Sequence, residues 1–158
     1  MADVKLISQS LLDSVSQSAK ATVRQRKNYN FHESDRDICH RLLNALEPDT
    51  YIPPHRHLHP TKAESIVILR GKVGLLLFDA DGEITQRCIL QTDSDMLGVD
   101  IPPGTFHSMV ALLPDTVFFE VKAGPYVALA VNERANWAPA EDSDRAGEYL
   151  AWMKHSFV

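Results

Sequence analysis

The sequence predicts an all-β domain, a sandwich or barrel, with an α-helix at each end. Two observations predict it. Between residues 39 and 122, short apolar and β-branched runs alternate with Pro, Gly and Asp turn signals, the rhythm of antiparallel strands. Outside that stretch, apolar residues recur at the period of a helix with one buried face. A length of 158 residues fits one domain with a real core.

The elements follow in order. Ile7, Leu11, Val15 and Ala19, with Leu12 beside them, predict a helix over about 5–22. The run Arg24, Gln25, Arg26, Lys27 reads as its solvated end, where cations suit the helix dipole. Asn28 to Ser34 reads as a polar, aromatic loop. Cys39–Leu46 is short and close to Pro48, which favours a strand. Thr50–Ile52 is extended, and Pro53-Pro54 forbids a helix and fits an edge or irregular strand. Strands are expected at Ser65–Leu69, Val73–Phe78, Ile84–Leu90, Leu97–Ile101, Phe106–Leu112 and Val117–Lys122. Asp81-Gly82 is a hairpin signal between two of them. After a loop at Trp137–Asp142, Ser143 or Asp144 can cap a last helix. Its Ala146, Tyr149, Leu150 and Met153 form one stripe. These elements divide the chain into an N-terminal helical segment (1–27), a β-core (28–136) and a C-terminal loop and helix (137–158) of a single domain.

Composition narrows the function classes. With 44% hydrophobic and 23% charged residues, the chain has the make-up of a folded domain. A formal net charge of -5 gives no support to a nucleic-acid or anionic-membrane surface, which needs a basic face. No apolar run is long enough to span a bilayer, and Met1–Ser10 lacks the apolar stretch of a secretion signal. The expectation is a cytoplasmic protein with no nucleic-acid or membrane partner. Cys39 and Cys88 form no CxxC pair and read as reduced thiols.

The chemistry concentrates in Tyr51–Gly71 and Pro102–His107. His55, His57 and His59 occupy alternate positions, and alternate side chains of an extended chain point the same way. Glu64 follows from the next strand. In Pro102-x-Gly104-x-x-His107, a tight turn aims His107 at the first group. Imidazoles plus one carboxylate suit Fe, Mn, Zn, Ni, Co or Cu as a divalent ion. Spacing to Glu64 leaves two pairs open, His55 with His57 or His57 with His59.

These two motifs resemble those of the cupin superfamily. Glu64, six residues and Gly71 match the end of its first motif, and Pro102-x-Gly104-x-x-His107 matches its second. Asp49 stands where the first motif opens on Gly, and Ala111 where the second closes on Asn. More narrowly, the chain resembles the WbuC-type cupin-fold metalloproteins, associated with bacterial O-antigen or polysaccharide gene clusters. Asn28–His32, Arg41–Leu46, Pro54-His55-Arg56-His57, Leu69-Arg70-Gly71, Phe78-Asp79, Gly98–Pro102, Phe119–Lys122, Gly124-Pro125-Tyr126 and Trp137-Ala138-Pro139 carry that resemblance. It implies a cupin jelly-roll barrel with the flanking helices, and one divalent transition metal on His55, His57, Glu64 and His107. His59 is then a rim residue.

Other residues are candidates for the same pocket. Phe118, Glu120 and Lys122 share one face of a strand, either lumen or solvent. If lumen, Glu120 and Lys122, with Tyr126 nearby, are candidate acid/base groups. Arg41, Arg56, Lys62 and Arg70 are candidates for an anionic substrate, Arg56 pointing away from its histidine neighbours. His32, His40 and His155 read as structural or surface. The expected function is a metal-dependent enzyme on a small polar molecule, such as a sugar or sugar-nucleotide intermediate in surface polysaccharide metabolism (isomerase, epimerase or oxygenase type). The alternative is a metal-dependent small-ligand binding or sensor protein without turnover. A homodimer is a further expectation.

Overall fold

The computed structural model describes residues 4–158. Among them, eight strands lie between two α-helices: α1 (Gln9–Lys20), β1 (Arg26–Asn30), β2 (Cys39–Leu46), β3 (Glu64–Arg70), β4 (Lys72–Phe78), β5 (Ile84–Gln91), β6 (Gly98–Ile101), β7 (Phe106–Ala111), β8 (Thr116–Ala123) and α2 (Ala146–His155). One sheet runs β1-β2-β8-β3-β6 and the other β5-β4-β7, with all pairings antiparallel. The barrel expected from the sequence is not closed by strand ladders; the two sheets face each other across a core. Phe118, Ile66, Ile68 and Leu46 of the larger sheet meet Val73, Leu75, Leu90 and Met109 of the smaller.

The helices cover the outer faces. Leu12, Val15 and Ala19 of α1 pack on Leu43, Ala45 and Val117. Leu150 and Met153 of α2 pack on Leu76, Phe78, Phe106 and Val110, with Trp137 wedged against Phe78 and Phe106. Both faces of β7 are therefore covered, and all six of its residues are buried. That is why its sequence lacks the polar alternation of a one-sided strand.

Several boundaries differ from expectation. Asn28–Asn30 belong to a strand because β1 pairs along β2, from Arg26↔Leu46 to Asn30↔Leu42. As an edge strand with exposed polar side chains, it lacks the apolar signal of an inner one. The first helix begins later than predicted, where the Ser8 side chain accepts the Leu11 N–H. Arg24 and Arg26 are not a solvated helix end. Arg24 grips both carboxylate oxygens of Glu141, at 2.7 and 2.8 Å, and Arg26 reaches Glu141 at 2.8 Å. Arg145, not Ser143 or Asp144, occupies the cap position of α2, without a side-chain cap. No helix among the described residues is long and apolar enough to cross a membrane, and both cysteines are free.

Candidate metal centre

The two histidine motifs are stitched together by backbone. His55 and His107 form a bridge, with reciprocal N–H···O bonds of 3.0 and 2.9 Å. Gly104 donates its N–H to the His57 carbonyl at 2.7 Å. Gly104 has φ +86 with open space around it, so its glycine serves the left-handed turn rather than a close contact. The Pro53-Pro54 segment thus runs beside β7 as an irregular strand and delivers His55 and His57 next to His107. Glu64 opens β3, where it lies opposite both Ile101 and Lys122.

The result is a tetrad. Single ligand atoms of His55, His57, Glu64 and His107 all lie within 4.8 Å of one another. Glu64 and His107 are nearly inaccessible, 4% and 1% exposed. The Glu64 carboxylate lies 3.2 Å from His57 Nε2 and 2.9 Å from His107 Nε2. The His55 Nδ1 faces the Pro53 carbonyl at 3.0 Å, and the His107 Nδ1 faces the Thr105 carbonyl at 2.9 Å. A carbonyl only accepts, so both Nδ1 atoms carry the proton and both Nε2 atoms present lone pairs to the centre. His57 Nε2 and His107 Nε2 are buried without a satisfactory hydrogen-bond partner. Lone pairs converging on a carboxylate repel one another unless a cation stands between them. The donor set therefore fits a divalent transition metal, and the Nδ1 bonds fix the ring orientation such a site needs.

The electrostatics agree. Burial, followed by the neighbouring His107, pushes the His55 imidazole down to about 3, so its ring is neutral. Burial would raise the Glu64 carboxyl, but the adjacent His107 and His57 rings and the Lys122 ammonium hold it well below the usual carboxylate range. A neutral His55 ring and an ionised Glu64 carboxylate are protonation states that metal binding requires.

Lys122 and Glu120 face the interior, the lumen alternative left open by the sequence. Lys122 Nζ lies 2.9 Å from Glu64 and 2.6 Å from Glu120, whose other oxygen accepts from Asn44 at 2.6 Å. Glu120 is 6% exposed, and its burial pushes the carboxyl up despite Lys122. Burial disfavours the Lys122 ammonium, but Glu120 and Glu64 outweigh it and raise its pKa. Tyr126 stands apart, 62% exposed at the mouth.

A cavity of about 200 Å3 opens beside the tetrad, lined by His55, His57, Lys122, Lys62, Tyr126 and His40 among others. A second, of about 540 Å3, shares His55 and Tyr126 with it. His59 lies outside the tetrad, exposed and bonded to Thr61 at 2.9 Å. Of the proposed anion-binding cations, Lys62 alone lines the smaller cavity. Arg56 lies over the Phe106 ring, as its outward parity predicts, and Arg70 binds Gln9 and Asp13 on α1. His40, read as structural, lines the cavity, because the pairing of β2 with β8 sets it opposite Lys122.

The comparisons agree with this architecture. A family described as a domain of unknown function, DUF6016, matches residues 7–90, more than half of the chain. The chain belongs to this family. Its description states no activity. No curated protein matches. Among solved structures, a conserved protein of unknown function from Streptococcus pyogenes is 14% identical, with a TM-score of 0.53 over 80% of this chain and 93% of that one. A cupin superfamily protein from Desulfitobacterium hafniense is 12% identical, with a TM-score of 0.51 over 69% of this chain and 86% of that one. An oxalate decarboxylase mutant from Bacillus subtilis is 18% identical, with a TM-score of 0.50 over 70% of this chain and 31% of that one. At these identities the likeness is one of fold, and the fold is that of the cupins.

Proposed function

We propose that this DUF6016 protein is a metal-dependent enzyme acting on a small polar molecule, with one divalent transition metal held by His55, His57, Glu64 and His107. The observation that carries it is the tetrad itself: four donors within 4.8 Å, two of them unpartnered buried Nε2 atoms, beside a cavity. When bound, the metal would supply a Lewis acid to a substrate oxygen. The chain's own residues do the rest. His55 and His57 line the cavity and orient the bound oxygen. Lys122, facing Glu64 and the cavity, is placed to hold or move a proton at its Nζ. Glu120, shielded by Asn44, sets the position and charge of Lys122. Tyr126 closes the mouth.

The WbuC-type resemblance points to a sugar or sugar-nucleotide intermediate of polysaccharide metabolism, and to isomerase, epimerase or oxygenase chemistry. A cavity of about 200 Å3 favours the sugar-sized end of that range, since pockets for larger ligands run to about 300–1,000 Å3. The test is cobalt substitution of protein purified without a histidine tag. A visible spectrum that changes on adding small hydroxy or keto compounds supports an open coordination position. A spectrum indifferent to all of them contradicts the enzyme reading.

A further inference from the structure

The row of residues that crosses the larger sheet beside the tetrad reads His40, Lys122, Glu64, on β2, β8 and β3 in register. Residues directly opposite in antiparallel strands share a face, so all three point inward. His40 is 4% exposed, stacks on His32 at 4.1 Å, and keeps a buried Nε2 with no partner while lining the cavity. A buried donor or acceptor left unsatisfied is costly, and such atoms are paired in folded proteins or await a ligand. Lys62 enters the same cavity from the turn after His59, where its Nζ donates to a neutral group, the Pro125 carbonyl, at 3.1 Å. No carboxylate is among the residues lining this cavity. Nearby Glu133 uses its two oxygens on the Leu58 and Ala130 N–H groups, at 2.8 and 2.9 Å.

We propose that this cavity binds a small oxyanion, a carboxylate or phosphate, on His40 and Lys62, while another oxygen of the same molecule reaches the tetrad. This rests on the reading of the tetrad as a metal centre. The cavity of about 200 Å3 limits the ligand to a small molecule. Two strand separations put His40 roughly 10 Å from Glu64 across the sheet, too far for His40 to join the tetrad. A small molecule carrying an acid group and a separate hydroxyl or carbonyl offers one oxygen to each end of the cavity. A neutral sugar offers acceptor oxygens but no negative charge to match the Lys62 ammonium.

The test is calorimetric titration of L-malate, glycerol 3-phosphate and glycerol into untagged protein, metal-loaded and EDTA-treated. The expected result is binding of at least one acid and not of glycerol. The preferred acid then identifies the oxyanion as carboxylate or phosphate. Lys62→Ala and His40→Gln each weaken that binding about tenfold or more, as loss of a charged hydrogen bond does, with metal content retained. Lys62 lies on a turn, so its variant carries the test even if the buried His40 variant misfolds. Equal affinity in wild type and Lys62→Ala, or glycerol binding as well as the acids, overturns the proposal. If wild type takes up no metal, the tetrad reading fails by itself. Acid binding to the metal-free protein that depends on Lys62 still supports the subsite, and its absence overturns it.

Discussion

His55 and His107 each turn Nδ1 toward a carbonyl two residues upstream, and that small geometry decides which ring atoms face the centre. His59, with an equally suggestive spacing, instead turns its Nδ1 to Thr61 at the surface. Loss of a ring from the tetrad therefore differs sharply from loss of His59. His59→Ala keeps stoichiometric metal, whereas His55→Ala loses at least about tenfold in affinity, the scale on which even a supporting partner matters; competition against a chromophoric chelator measures both. At the neighbouring pair, Lys122→Met leaves Glu120 buried without its cation, and a broken buried pair costs about 3–5 kcal/mol. Glu120→Gln removes the charge but keeps a partner for Asn44 by rotation of its amide. Thermal unfolding is expected to rank Lys122→Met as the less stable of the two.

At the scale of elements, α1 and α2 clamp the outer faces of the two sheets. Met153 is fully buried against β7. Met153→Ala is expected to destabilise by about 2–5 kcal/mol, the usual range for a large-to-small core change, read from denaturant unfolding. The loop before α2 is tied to β1 by Glu141 with Arg24 and Arg26. Burial raises the Glu141 carboxyl, but the Arg24 and Arg26 hydrogen bonds outweigh it and lower its pKa. The sign follows: this stability is present above the unfolded value of 4.5 and is lost as pH falls through the lowered folded value. Glu141→Gln should cost less than about 1 kcal/mol at neutral pH, since the group is about a third exposed and solvent screens the pair. The difference from wild type should vanish in acid.

The whole molecule shows why some of this was legible beforehand. The strands β2 to β8 were readable because both sheets bury apolar faces, and turn chemistry at Asp81-Gly82 and Pro102–Gly104 punctuates them. The two histidine motifs were readable because their spacing and the PxGxxH turn are local, but spacing left His55 and His59 as alternatives, and only the resemblance chose His55. β1 was not, because an edge strand such as Arg26–Asn30 buries little. His40 was not, because its place depends on cross-strand register from β2 to β8, which no single segment encodes. Closure into a barrel was an inference from resemblance, and the larger sheet instead ends at β1 and β6. The core between the sheets excludes the tetrad residues, so the fold should stand without metal and gain from it. Metal at about 100 times its dissociation constant adds about 2.7 kcal/mol, or about 5–10 °C in Tm for a chain of this length.

The central claim is that His55, His57, Glu64 and His107 hold one metal ion. Elemental analysis of the untagged protein, beside His57→Ala and His107→Ala, tests it most directly. One divalent transition metal per chain in wild type, with nearly none in either variant, is the predicted result. Wild-type protein without bound metal after incubation with Fe, Mn, Co, Ni, Cu and Zn salts, or variants that retain it fully, would contradict the account.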